Sequence, residues 1–582
     1  MKTAKTRIWQ ALFQGALLVG IIFLSGSRCL YGQARCVSGL DCVQLFQVDP
    51  PKKPYTRKDW DSLTQDELCS IVKGVAAMKA LPADNPLSFQ YQANIHGTNK
   101  GVADRLEAEN CCQHSGWYFL PWHRMEIFYF ERILRAMSGD DNLVVPYWNF
   151  TVLDATPQGR AKRAIPAAFR TPKIVCGGNE IDNPLYDVNR NKGTKAGCGI
   201  NDGVPLCTTV VDATVAFNTN DFWDPDRRNG ELTFGGAKTS TGHFSDGTAS
   251  GQIESQPHNP MHVVVGGPGG DLTDPDGAAT DPIFWPFHVN IDRAWYCWDK
   301  KFNAPPIYPP FDEPWWSTSF KFFDVNKVVS KGPDGKDVVT LESRPVCLAA
   351  KQVVLAAVNL RYKYDSCDPF LKAGDTNERR LEDIASLAQP AEPATPSIAA
   401  SVTTQSAMML NTGTATVTVE LPGNVQQAIQ RALSAGPGHD AVVLSVEGIE
   451  INKPISGAYE VYVNLPRQAT LDPASRYFAG NLSFFGAGGH HHDGEAQPES
   501  RAAGATRSFN ITDVVRRLVA NHEWPGDKVS ITFAVSAPPS PCGANTCPLC
   551  DECIKNSAAQ PDEHVGFTQL TLDVISWKPN GH

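Results

Sequence analysis

Several features that would assign this sequence to a common class of protein are missing. It has no basic excess: 62 acidic residues and 52 lysines and arginines, interspersed, give a net charge of -10. This balance argues against nucleic acid or an anionic membrane as the main partner, and a small neutral substrate fits better. After the N-terminus it has no apolar run of the roughly 20 residues that cross a bilayer. It also has no internal repeat, and its 582 residues predict two or three domains.

The N-terminus has the pattern of a secretory signal peptide. Basic residues precede an apolar run over 11–24, and Gly32-Gln33-Ala34 places small residues where cleavage would occur. We therefore expect residues 1–34 to be removed, leaving a protein without a membrane segment. The expected location is the secretory pathway, extracellular or lumenal, with the lumen of a vacuole or plastid less favoured.

The cysteine count agrees with an oxidising compartment. Sixteen cysteines are many for a cytosolic protein, and removal of the signal segment with Cys29 leaves fifteen. An odd number means that one cysteine has a fate other than an intramolecular disulfide.

Helical periodicity is strongest in three segments before residue 300. Apolar spacing predicts one helix over Asp61–Met78, capped by Ser62 or Thr64, and a second from about Pro121 to Met137. Thr280-Asp281-Pro282 predicts the start of a third that continues to about Asp299. The Gly-, Asn-, Asp- and Pro-rich stretch 150–250 lacks periodicity and predicts irregular connections.

The composition changes after residue 375. Residues 376–405 are rich in proline and alanine and predict a linker open to proteases. Beyond it, β-branched and aromatic clusters at 416–421, 441–446, 459–464 and 529–534 are typical of strands. The fold class expected is therefore α+β and multidomain: a helical domain over 35–375 and a β-sandwich over 406–582.

Histidines are the most informative residues of the chain. Seven precede residue 300, and six of these fall into two triplets: His96, His114 and His123, then His258, His262 and His288. Neutral imidazole suits copper, and three nitrogens per ion leave positions open for O2. The i, i+4 spacing of His258 and His262 places both rings on one side of a helical turn. A dizinc hydrolase is the weaker alternative, because such sites depend on carboxylate bridges.

The segments around these histidines resemble the type 3 copper family of tyrosinases, catechol oxidases and molluscan hemocyanins. The resemblance is carried by Cys112-Gln113-His114, by the run from Phe119 to Arg124, and by the run from Asp281 to Arg293. Tyr362-Lys363-Tyr364 and the run from Ala458 to Asn464 are similar to motifs of the plant polyphenol oxidase branch.

The resemblance implies a fold, a cofactor and a reaction. Two copper ions would be held in a four-helix bundle, copper A by His96, His114 and His123 and copper B by His258, His262 and His288. The implied activity is oxidation of o-diphenols to o-quinones by O2, with hydroxylation of monophenols as well. The C-terminal domain would shield the site and make the full chain a latent pro-enzyme. Cleavage by a protease would then activate it. A hemocyanin-like dioxygen-binding protein is the alternative with the same ligands.

Three further residues acquire roles from the resemblance. Cys112, two residues before His114, matches the fungal and molluscan position of a Cys–His thioether; the alternative is that Cys111 or Cys112 forms an ordinary disulfide. Glu254 and Asn259 match positions that hold a water and take a proton from a monophenol; the alternative is an ion pair and a turn cap. No aromatic residue occurs from Val263 to Ile283, which predicts an open pocket.

Two other metal-binding patterns lie in the C-terminal part. His490-His491-His492 occupies a Gly-rich stretch, and Cys542, Cys547, Cys550 and Cys553 form a C-x4-C-x2-C-x2-C cluster. Disulfides and a solvated loop are the favoured interpretation in an oxidising compartment, and copper loading is the alternative.

Overall fold

The structure is a computed structural model that describes residues 36–37, 54–193, 197, 199–242, 249–301, 308–354, 356–371, 395–410, 414–434, 440–451, 459–471, 475–483, 485, 505–535 and 565–578. Four predictions fall outside these residues: the signal peptide 1–34, most of the linker, His490–His492, and the cluster from Cys542 to Cys553. Two large hydrophobic cores separate the described chain into an N-terminal and a C-terminal domain.

The N-terminal domain is mainly helical. Its helices are α1 (Gln65–Lys79), α2 (Phe89–His96), α3 (Phe119–Ser138), α4 (Pro157–Arg163), α5 (Thr208–Val211), α6 (Thr214–Asn218), α7 (Asn259–Gly266), α8 (Phe284–Lys300) and α9 (Ala350–Val353). Its strands are β1 (Tyr55–Arg57), β2 (Lys173–Cys176), β3 (Asn179–Asp182), β4 (Ser319–Lys331), β5 (Asp337–Ala349) and β6 (Tyr362–Tyr364). A π-helical turn, Glu254–His258, leads into α7.

The three predicted helices are present, with ends set by local chemistry. Helix α1 begins after Thr64, whose side chain accepts from the backbone N–H of Glu67 while Glu67 accepts from that of Thr64. Helix α3 begins at Phe119, two residues before Pro121, and ends at Gly139 in the left-handed conformation. Helix α8 begins at Phe284, because the Asp281 carboxylate holds the turn before it by accepting from the N–H of Ile283.

The C-terminal domain is built from two four-stranded antiparallel sheets, which confirms the predicted β architecture. One sheet has the order β11-β10-β13-β8 and the other β12-β9-β14-β7. The strands are β7 (Thr395–Leu410), β8 (Thr414–Glu420), β9 (Asp440–Ile451), β10 (Tyr459–Val463), β11 (Phe478–Leu482), β12 (Ala505–Asn510), β13 (Lys528–Val535) and β14 (Val565–Lys578). Two helices, α10 (Gly423–Ser434) and α11 (Thr512–Ala520), pack against the core of this domain.

The start of this domain differs from the prediction. Strand β7 begins at Thr395 and pairs with β14 from its first residue, so the last part of the predicted linker 376–405 belongs to a sheet. The prolines made this segment look like a linker in the sequence. Pro396, at the second position of the strand, is nevertheless compatible with a strand end.

The ends of the N-terminal domain are tied together. Strand β1 pairs in parallel with β6, more than 300 residues later. Disulfides join Cys36 to Cys111, Cys69 to Cys176 and Cys297 to Cys367. No helix within the described ranges is long and apolar enough to span a membrane.

Candidate metal centre

The six predicted histidines converge in the N-terminal domain. All are buried, and none exceeds 3% exposure. Within the first triplet, the ring of His114 lies 5.3 Å from that of His96 and 4.9 Å from that of His123, centre to centre. In the second, Nε2 of His258 lies 3.1 Å from Nε2 of both His262 and His288.

The two triplets face each other across a short gap. The rings of His123 and His288 stack with centres 5.0 Å apart, and those of His114 and His258 are 5.7 Å apart. Two ions held by the two triplets would therefore be neighbours, as a shared small molecule such as O2 requires.

Four of the six histidines lie in α-helices, one ends a π-helical turn, and one lies outside any helix. His96 ends α2, His123 lies in the first turns of α3, His262 lies in α7 and His288 in α8. His258 ends the π-helical turn before α7, and His114 lies in the segment between α2 and α3. The four-helix bundle implied by the resemblance therefore does not carry His114, whose position depends on that intervening segment.

The hydrogen bonds of the imidazoles fix their tautomers. Nδ1 donates to a backbone carbonyl or amide oxygen in five of them: His96 to Pro275, His123 to Phe119, His258 to Asn259, His262 to Leu272 and His288 to Phe284, at 2.8–3.0 Å. A carbonyl can only accept, so Nδ1 carries the hydrogen and Nε2 carries the lone pair. This leaves each Nε2 ready to bind a metal ion.

The electrostatics also favour neutral ligands. Burial, followed by neighbouring imidazoles, lowers the pKa of His258, His262 and His288 well below the usual value. Three neutral rings that point lone pairs at one another repel unless a cation lies between them. The donor set thus fits a borderline-soft ion such as copper.

Cys112 is part of the same constellation. Its sulfur and one ring nitrogen each of His96 and His114 lie within 4.8 Å of one another. Its neighbour Cys111 is the residue that forms a disulfide, with Cys36. Burial, reinforced by nearby Asp276 and Glu126, raises the pKa of the Cys112 thiol well above its usual value.

Glu254 and Asn259 flank His258. The Glu254 carboxyl is fully buried and accepts a 2.6 Å hydrogen bond from the backbone N–H of Ser115, the residue after His114. Burial raises the pKa of Glu254 to about 8. Asn259 accepts from Nδ1 of His258 at 2.9 Å, so its side chain orients a ligand ring as well as standing near the site. The Asx-like turn cap and solvated ion pair considered from the sequence do not describe these contacts.

A buried cluster of charged and tyrosine side chains joins helices α3 and α8. Asp292, one turn after His288, is buried and accepts from Arg57, Arg124, Tyr362 and Tyr364. Burial opposes ionisation, yet the guanidinium groups of Arg124 and Arg57 hold the pKa of Asp292 below its usual value. Arg293, the next residue in the chain, instead donates to Ser366, Asn149 and Asn290. A structural role for Asp292 follows.

The C-terminal domain reaches the centre with one aromatic ring. Phe485 stacks on His262 with ring centres 4.0 Å apart and an interplanar angle of 18°. It also lies 5.7 Å from His114 and 5.8 Å from His258, and it is 5% exposed. Sequence reasoning missed this residue, because Phe484-Phe485-Gly486 has no periodicity that separates a plug from an ordinary loop.

Two facing imidazole triplets in a helical domain have the ligands and the arrangement of a type 3 dicopper centre. Residues 86–301 match the common central domain of tyrosinase, and residues 398–541 match a domain of unknown function, DUF7868. Residues 86–301 are therefore a tyrosinase-family domain, and the protein is a copper oxidoreductase.

Individual relatives agree over most of the chain. Tyrosinase HcTyr1 of Hahella sp. is 25% identical over 507 residues, covering 82% of this chain and 94% of the relative. A chloroplastic polyphenol oxidase of Malus domestica is 27% identical over 460 residues, covering 75% and 69%. Both are oxidases, so the dioxygen-carrier alternative is not favoured.

Solved structures share the arrangement of the fold. Latent apple tyrosinase superposes with a TM-score of 0.55 at 20% identity, covering 92% of this chain and all of the other. Recombinant latent aurone synthase gives 0.56 at 19% identity, covering 94% of each chain.

Proposed function

We propose that this protein is a polyphenol oxidase that uses O2 to oxidise o-diphenols to o-quinones and that also hydroxylates monophenols. The observation that carries the proposal is the meeting of two buried imidazole triplets across a gap of 5–6 Å between ring centres. The ligands would be His96, His114 and His123 for copper A and His258, His262 and His288 for copper B. When bound, the two copper ions would supply the two-electron exchange between phenol and O2.

The residues around the ions would orient the substrate and manage its proton. The ring of His262 presents a flat face to the pocket, and Phe485 demonstrates that an aromatic ring fits against it. A phenol stacked there would direct its hydroxyl group toward the centre. Glu254 would take the phenolic proton with Asn259 beside it, since a phenol binds a metal as its anion.

Cys112 and His114 form a thioether in this proposal. Two observations support it: the sulfur lies within the ligand cluster, and Cys111 rather than Cys112 is bonded to Cys36. A covalent bond to the ring would fix His114, the ligand that no helix carries. Mass spectrometry of the peptide that contains both residues should find it two hydrogens lighter than its sequence requires.

The C-terminal domain would keep the enzyme latent. Phe485 occupies the face of His262 that a substrate would need, so substrate enters only when this ring leaves. Proteolysis before Thr395, which removes the complete β domain without cutting β7, is the activation step that the fold allows.

The partners proposed are small phenols, O2 and an activating protease, with neither nucleic acid nor membrane. We also propose export through the secretory pathway after removal of residues 1–34. The disulfides support a compartment in which cysteines are oxidised.

The proposed function is tested by loading the protein with copper and following quinone absorbance with a catechol and a monophenol. The expected result is two copper ions per chain and quinone formation from both substrates, with none from a H288A control. Two copper ions without quinone formation in the activated protein would contradict the assignment.

A further inference from the structure

A cavity with polar side chains in its walls lies between the two domains and extends to Asn259, beside the metal centre. Its volume is about 1610 Å³, and Asn259 of the centre lines it together with Ser250, Gln252 and Ser255. The C-terminal domain supplies the opposite wall, which includes Arg507. A cavity of this size and polarity holds many water molecules.

Two buried polar atoms near this cavity are unsatisfied, one on Glu254 and one on Ser250. Oε1 of Glu254 accepts from Ser115, but neither its Oε2 nor the hydroxyl of Ser250 has a hydrogen-bond partner within the described part of the chain. The hydroxyl nevertheless lies close enough to the carboxyl to favour its ionised form. Buried polar atoms are almost always satisfied, and a serine hydroxyl rotates freely, so Ser250 can donate to Oε2 directly or through one water.

The cavity wall near Ser250 also contains a buried carboxyl group, that of Glu231. Glu231, buried in the turn Arg227–Leu232, accepts 2.7 Å from the Ser255 hydroxyl and 3.2 Å from the Gln252 side-chain amide. Burial raises the pKa of Glu231 to about 8. Glu231 lines the cavity, so a weakly acidic carboxyl faces its interior.

We propose that Ser250 is a positioning residue that donates a hydrogen bond to Glu254 and connects it to the water of the interdomain cavity. This inference rests on the proposed function, because it assigns an exit to the proton that Glu254 removes. The phenolic O–H bond breaks and the Glu254 carboxylate gains the proton. Glu254 then passes it to the Ser250 oxygen while the Ser250 hydroxyl proton moves to a cavity water.

Three other groups act on the charge of Glu254. Arg507 of the C-terminal domain favours its ionised form. Glu231 and the Cys112 thiol interact with it as potential anions. None of these is changed by removal of the Ser250 hydroxyl, so a Ser250 variant isolates the proposed contact.

The test compares S250A with S255A in the copper-loaded full chain after activation. Ser255 lines the same cavity but donates to Glu231, which makes it a matched control. S250A should lower kcat for monophenol hydroxylation on the order of tenfold, the effect of losing a hydrogen bond to a charged group. It should also move the rise of that rate to higher pH, with KM, o-diphenol oxidation and copper content unchanged. S255A should leave the profile in place, and S250T should restore it.

A double-mutant cycle separates positioning from a general structural effect. In the E254Q background, S250A should have no further effect on hydroxylation, since its partner has lost the titrating group. An equal further loss, a loss of the same size for both substrates, or an S250A profile identical to that of an active wild type would overturn the inference. Failure of the proposed function would look different: the wild type itself would oxidise neither substrate.

Discussion

The two domains contribute to the metal centre in opposite ways. The N-terminal domain supplies every proposed ligand and holds five of the six rings by hydrogen bonds from Nδ1. The C-terminal domain contributes one aromatic ring, Phe485, and one wall of a large cavity between the domains. The difference indicates that the chemistry belongs to the first domain and that the second controls access.

The contacts between the domains also differ from the contacts within the N-terminal domain. The contacts between them include a small apolar cluster, in which Leu232 packs against Ala441, Val443 and Ile575, and a 3.2 Å hydrogen bond from Asn481 to the carbonyl of Thr209. The N-terminal domain is instead locked internally by charge pairs and disulfides. Separation of the domains should therefore leave the metal centre intact.

The largest loss of activity is expected from replacing a copper ligand, because the N-terminal domain supplies all the proposed ligands. H262A removes a proposed copper B ligand together with the ring against which Phe485 stacks. Activity should fall to background in both the full and the cleaved chain, with one copper lost per protein. Metal analysis beside an oxygen electrode checks this, and full activity with two coppers would show that His262 is not a ligand.

A second prediction concerns the stability of the N-terminal domain alone. D292A leaves the buried guanidinium groups of Arg57 and Arg124 without their shared carboxylate. Breaking a buried ion pair costs about 3–5 kcal/mol, and the free energy of unfolding of this domain should fall by that order. Urea unfolding followed by tryptophan fluorescence measures it. The surface variant D182A, which loses an exposed pair with Lys173, should change unfolding little.

A third prediction addresses the C-terminal side. F485A removes the stacked ring, which contributes about 0.5–1.5 kcal/mol beyond its buried area, so the full chain should gain activity up to about tenfold. The cleaved chain should not change, since it lacks this residue. If F485A is as latent as the wild type, another part of the C-terminal domain blocks the site.

The smallest effect is expected from pH. Burial raises the pKa of Glu254 to about 8, so the carboxyl is protonated below that pH and becomes a base as pH rises through it. Two copper cations would move this pKa downward. The monophenol rate should rise with pH over this range, and in E254Q the rise should disappear while o-diphenol oxidation remains. An unchanged pH profile in E254Q would remove Glu254 from the mechanism.

The sequence predicted the parts of the molecule that rest on local patterns. Six histidines, three helices and four strand segments follow from spacing and composition, and the structure contains all of them. The contacts missed join residues far apart in the chain: Arg57 with Asp292, Ser115 with Glu254, and Phe485 with His262. The periodicity of the sequence cannot predict such contacts, because they depend on how separate elements pack against each other. The strand start at Thr395 was missed for another reason, since prolines at a strand end resemble a linker.

Oxygen uptake with a catechol, measured on one copper-loaded preparation before and after cleavage between residues 371 and 395, tests whether the C-terminal domain controls access to the metal centre. Slow uptake is expected before cleavage, with a marked increase after it and the same two copper ions per chain throughout. Equal rates before and after, or loss of copper on cleavage, would contradict the division of chemistry and control between the two domains.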